Sequence, residues 1–139
     1  AAYDNKEVYV ELIADGVHVH DSVIRAVFSM FEDRVILVSD SMRATGLGDG
    51  DYSLGGQSVQ VKDKKAVLAD GTIAGSVTNL FECMKHCIDI GISAEKAVAA
   101  ATLTPAKALG AEDQIGMISV GRKADIVITD NTFRMLKVF

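Results

Sequence analysis

The segment Arg34-Val35-Ile36-Leu37-Val38 sets four branched apolar residues in a row. A strand without polar alternation must be covered on both faces, as strands are in parallel sheets. The run stops at Ser39-Asp40-Ser41. A second apolar run, EVYVELIA at 7–14, closes on Asp15-Gly16 and reads as a strand followed by a turn. Between them, Asp21-Ser22 can cap a helix with Val23, Val27, Met30 and Phe31 at helical spacing, ending near Asp33. Strand, helix and strand over roughly 30 residues make a βαβ unit with parallel strands. In α/β folds chemistry gathers at the carboxyl ends of such strands, which here carry Asp15-Gly16-Val17-His18 and Asp40.

From Ala44 to Gly75, glycines punctuate short β-like runs, Ser58–Val61 and Ala66–Leu68, about the turn Asp63-Lys64. This predicts a long loop after the second strand carrying its own hairpin, over 51–70. A loop of that length at a strand's carboxyl end is usually functional. Val77–Ile90, with Leu80, Met84, Cys87 and Ile88 on one stripe and Gly91 after it, predicts a helix. Ser93 caps another through Thr102, and Thr104-Pro105 puts proline at the first position of a short helix ending at Gly110. Ala124–Thr129 and Thr132–Phe139 read as two further strands about Asp130-Asn131.

At 139 residues and 49% hydrophobic content the chain can bury a core. Its net charge of −5 and the lack of any basic cluster argue against nucleic acid and anionic membranes as partners. No apolar stretch nears the roughly 20 residues that span a bilayer, and the polar start AAYDNKE is not a signal peptide. Cys83 and Cys87, four apart on a helical stripe, disfavour a mutual disulfide, which fits a reducing, cytoplasmic setting. The absence of an initiator Met is expected of a processed chain, an engineered one or a piece of something longer.

Asp40 is the sharpest chemical candidate: a carboxylate ending a buried strand beneath a glycine-rich loop suits a general base. The tripeptide Ser39-Asp40-Ser41 could equally turn the chain or cap a neighbour. His18 and His20, spaced i and i+2, would point the same way from a strand and suit a divalent metal. A metal needs a third ligand, however, and the remaining histidine is His86, in mid-helix. Cys83 and Cys87 beside it follow the apolar stripe and read as core. Ser76, after Gly75, resembles a helix start that caps its own helix or binds an anion, and Glu112 and Asp113 read as a solvated face. Neither a phosphate-binding Walker motif nor a GxSxG elbow is present.

Three stretches taken together, IADGVHV at 13–19, LVSDSMRATGLGDGDYSLGG at 37–56 and LADGTIAGS at 68–76, resemble the carboxyl-terminal part of the N-acetylglucosamine-6-phosphate deacetylases of the amidohydrolase superfamily. ATLTPAKALG at 101–110 and IGMISVGRKADIVITD at 115–130 resemble a block shared more widely among amidohydrolases.

The resemblance implies an α/β fold that is the last two βα units of a (β/α)8 barrel plus strands of a small flanking β-sandwich. A whole barrel needs about 250 residues. Residues 1–110 would supply strands seven and eight with their helices and the inserted hairpin, and 111–139 the small β domain. The implied activity is metal-dependent hydrolysis of N-acetylglucosamine 6-phosphate to glucosamine 6-phosphate and acetate, in amino-sugar catabolism. Asp40 matches the catalytic aspartate, taking a proton from the metal-bound water and delivering one to the leaving amine. Asp15, Gly16, Val17 and His18 match a substrate-binding stretch with His18 on the sugar phosphate, and Ile73, Ala74 and Gly75 match a second.

The family's metal ligands, a glutamate and two histidines, lie on earlier strands and so precede Ala1. No metal ligand is therefore expected in this chain, the divalent metal (zinc or similar) belongs to the full-length enzyme, and the chain alone is expected to be inactive. Two alternatives stand beside this reading. One is an amidohydrolase acting on another amide or a cyclic amide. The other is a non-catalytic module that assembles with itself or with a partner half through strand edges left open. On either reading a homo-oligomer is expected.

Overall fold

The computed structural model describes residues 2–139. Its strands form three small sheets. The first joins β1 (Val10–Ile13) and β2 (Val35–Val38) in parallel, with Val10 opposite Val35 and Ile13 opposite Val38. Helix α1 (Asp21–Phe31) and a 3₁₀ turn over Glu32–Arg34 connect them, completing the expected βαβ unit. The helix buries Ile24 and Phe28 and leaves Val23 and Met30 half exposed. The covered stripe is thus shifted one position from the expected one. Large apolar residues stand at 23, 24, 27, 28, 30 and 31, so periodicity alone left the facing angle open.

β2 touches all four helices: α1, α2 (Leu80–Asp89), α3 (Ala94–Ala101) and α4 (Leu103–Ala108). Val35, Ile36 and Leu37 on this strand are all buried. The main core sits on that side of the parallel pair, where Leu12, Ala14, Val35 and Leu37 meet Ile24, Phe28, Cys83, Met84, Cys87, Ala97 and Ala100. Burial pushes the Cys87 thiol up to about 12. Burial, and then the neighbouring Asp15 carboxylate, raise Cys83 to about 11. Both are free, neutral core residues.

The glycine-rich segment is larger than the expected hairpin. β3 (Gly50–Leu54), β4 (Gln57–Lys62), β5 (Lys65–Val67) and β6 (Ile73–Ser76) form a four-stranded antiparallel sheet in sequence order. Its central turn is Asp63-Lys64, with both residues at positive φ (50° and 63°), the geometry that matches the twist of a two-residue hairpin. Met42, Ala44, Val59, Val61, Ala66 and Ala74 give this sheet its own small core.

Helix ends depart from expectation at three points. His20, not Asp21 or Ser22, caps α1: its ring accepts from the Ser22 N–H. Asn79, not Ser76, caps α2 by accepting from the Glu82 N–H at 2.9 Å. Pro105 is the third residue of α4 rather than the first, still within the turn whose N–H groups have no helical acceptor. Ser93 caps α3 as expected. The tail pairs β7 (Val127–Thr129) with β8 (Met135–Val138) antiparallel. Among the described residues no helix is long and apolar enough to cross a membrane.

Candidate active site

β1 ends at Ile13, and the chain from Ala14 to Val19 bends instead of continuing as a strand. His18 and His20 therefore do not share one face of a strand. Asp15 organises the bend: its Oδ1 accepts from the N–H groups of Val17 and His18 at 3.0 Å each, and its Oδ2 bonds His18 Nδ1 at 2.9 Å. Three bonds from one carboxylate fix both the loop and the imidazole. The Asp15 side chain is only 2% exposed. Burial works against its charge, but the N–H groups of His18 and Val17, the His18 ring and the Ser76 hydroxyl together hold the carboxyl below its usual value.

Held by Nδ1, His18 turns Nε2 toward Asp40, 3.8 Å from its Oδ2. Asp40 follows β2 at φ 51°, a conformation that is uncommon outside glycine and that Asp tolerates better than most. Its side chain is 52% exposed, so it opens onto solvent beyond the end of the buried strand, as its place after β2 suggested.

The third segment arrives through the main chain. Ser76 N–H donates to the Asp40 carbonyl and Met42 N–H to the Ser76 carbonyl, both at 2.8 Å, forming a parallel bridge between Ser41 and Ser76. Ile73, Ala74 and Gly75 thus form the last strand of the inserted sheet and run beside Asp40. Gly75 sits at φ 74°, and a Cβ there would stand 3.2 Å from the Asp40 carbonyl oxygen. Ser76 is 2% exposed and its hydroxyl accepts from the Thr78 N–H. The fold therefore brings the segments 15–18, 40 and 73–75 together, as the three motifs suggested. It adds Ser76 as the joint between them, a role masked in the sequence by its resemblance to a helix cap.

His20 is excluded from this cluster, being engaged with Ser22 at the start of α1. His86 bonds Asp21 through Nε2 at 2.9 Å. Among the described residues no group of three or more His, Cys, Asp or Glu side chains could hold a metal ion. Asp15 and His18 Nδ1 are spent on each other, leaving His18 Nε2 and the Asp40 carboxylate as free donors, too few for a site of three or four ligands. The residues present do not fit a metal centre of their own.

What the cluster offers is an open carboxylate and an oriented imidazole beside a strand whose backbone is available at its edge. That suits proton transfer on a bound polar substrate. The amidohydrolase family profile matches residues 2–138. An N-acetylglucosamine-6-phosphate deacetylase of Bacillus subtilis is 42% identical over 123 residues, 87% of this chain and 31% of that protein. A putative N-acetylgalactosamine-6-phosphate deacetylase of Escherichia coli K12 is 30% identical over 140 aligned positions, covering 100% of this chain and 84% of that one. The crystal structure of the N-acetylglucosamine-6-phosphate deacetylase of Pasteurella multocida superposes with a TM-score of 0.92 at 28% identity, over 99% of this chain and 36% of that chain. The chain thus spans about a third of the length of the Bacillus and Pasteurella enzymes. By profile, sequence and superposition alike, the chain belongs to the amidohydrolase family.

Proposed function

We propose that the protein carrying this chain hydrolyses the acetamide of an N-acetylamino-sugar 6-phosphate, N-acetylglucosamine 6-phosphate foremost, to the free amine and acetate. The observation that carries this reading is the convergence of Asp40, His18 and the edge of Ile73–Gly75 on one face at the ends of two parallel strands. Asp40 acts as general base toward the water that attacks the acetyl carbonyl, then gives the proton to the departing nitrogen as the C–N bond breaks. Its exposure lets water and substrate reach it. His18, oriented by ionised Asp15, contacts the substrate at its phosphate through the ring nitrogen left free. Gly16, Val17 and Ile73–Gly75 line the same ligand.

On this reading residues 1–110 are the last two strand–helix units of a (β/α)8 barrel with the inserted sheet, 111–139 belong to a small β domain, and the protein works in the cytoplasm. A divalent metal, general to the family, would take its ligands from outside this chain, so the chain alone lacks activity. The Escherichia coli relative supports a second reading, the galactosamine epimer as substrate.

Acetate release by the whole protein decides among these. Asp40→Asn should lower kcat by about 10²- to 10⁴-fold, and His18→Ala should raise KM while leaving bound metal unchanged. No release from either 6-phosphate sugar by the wild type would overturn the proposal, and preference for the galactosamine epimer would select the second reading.

A further inference from the structure

His86, on α2, is a side chain that no role above uses. It projects from α2 between Cys83 and Cys87, both fully buried, so the backbone carrying it is anchored in the main core. Its ring does two things at once. Nε2 donates to Asp21 Oδ1 at 2.9 Å, a bond between residues 65 apart in sequence. The same ring lies beneath Gly16: a Cβ on that glycine would stand 3.2 Å from His86 Cε1 and 3.3 Å from Nε2. Gly16 opens the bend that holds Val17 and His18, and Asp21 closes it as the first residue of α1. One imidazole therefore clasps the loop at both ends. The helix behind it starts four residues after the end of β6, whose last residue, Ser76, is paired to the backbone of Asp40.

From this juxtaposition we infer that His86 is a positioning residue, which fixes the separation of His18 from Asp40 by tying the 15–21 loop to the helix that follows Gly75 and Ser76. It touches no substrate and transfers no proton. Gly16 lets the loop lie close over the ring: a Cβ there would press on His86 at 3.2 Å, and its φ of 76° favours glycine. The other ionisable group bonded to this ring is Asp21, itself 44% exposed, so the tie can be cut at that end without opening a cavity.

The inference rests on the proposed reaction for its kinetic consequence, while its structural consequence is measured independently. In the whole protein, His86→Leu should raise KM for the sugar phosphate about tenfold with kcat changed by less than about threefold, the order expected when a contact residue is loosened by a fraction of an ångström. His86→Gln, whose amide can still reach Asp21, should restore KM to near the wild-type value. Asp21→Ala should shift KM in the same direction as His86→Leu.

The second readout is the ¹⁵N signal of His18 Nδ1, whose hydrogen-bonded proton should broaden in His86→Leu and Asp21→Ala and stay sharp in His86→Gln. Unchanged KM and an unchanged His18 signal in folded Asp21→Ala would overturn the inference, and this holds even where His86→Leu fails to fold. If the wild type releases no acetate, the substrate reading falls, and the His18 signal alone decides the role of His86.

Discussion

The main chain of Ser76 grips that of Asp40: the Ser76 N–H donates to the Asp40 carbonyl at 2.8 Å. The carboxylate we assign as base is therefore carried on a backbone whose position depends on the end of the inserted sheet. Gly75, just before the joint, has φ 74° and leaves 3.2 Å between a hypothetical Cβ and the Asp40 oxygen, and 3.4 Å to Met42 Cβ.

Gly75→Ala should accordingly lower stability by about 1–2 kcal/mol from the left-handed backbone alone and, in the whole protein, reduce kcat more than it raises KM. Gly71→Ala is the control, since it also has positive φ (86°) but nothing within 4 Å of a Cβ. It should cost similar stability and leave kcat intact. Urea unfolding and steady-state kinetics on the two variants check this, and equal kinetic effects at both positions would contradict it.

Asp15 gives the chain a signature in acid. The folded state favours its charged form, holding its pKa below the ordinary 3.8. A depressed carboxyl contributes stability that is fully present above its unfolded value and is lost as pH falls through the folded one. Asp15→Asn removes that contribution and replaces an acceptor of three bonds by a group that accepts at one atom only. The variant should be less stable than wild type at neutral pH, and the gap should narrow below about pH 4. Asp70 and Asp130, also lowered, titrate in both proteins and cancel in the difference. A gap that stays constant between pH 7 and pH 3 would show that the Asp15 charge is not what holds the loop.

The sequence brought the candidate residues into view but not the bonds that join them. RVILV announced a buried strand, and β2 indeed buries Val35, Ile36 and Leu37 and meets all four helices. Asp63-Lys64 announced a tight turn, and both residues take positive φ. The spacing of His18 and His20 misled because it presumes a strand, whereas the three bonds accepted by Asp15 bend the chain there. Ser76 and His86 escaped because each acts through partners distant in sequence, Asp40 and Asp21. No local pattern encodes a bond across 65 residues.

Exposed apolar side chains give a last expectation, for the 139-residue chain by itself. Leu109 (79%), Ile118 (83%) and Val120 (103%) stand open to solvent. Near them a groove of about 890 Å³ runs between α2, α3, α4 and the tail, lined by Phe81, Val98, Leu103, Ile118 and Phe133. The parallel pair β1–β2 is a sheet of two strands, so each has one unpaired edge among the described residues. Contiguous apolar surface and open edges favour association. The isolated chain should therefore bind a hydrophobic dye strongly and elute from gel filtration at a size that grows with concentration. Ile118→Lys with Val120→Lys should reduce both effects with little change in unfolding midpoint, because neither side chain is buried. A dye-silent monomer at every concentration would show that this surface is not adhesive, and would count against assembly as the role of the chain alone.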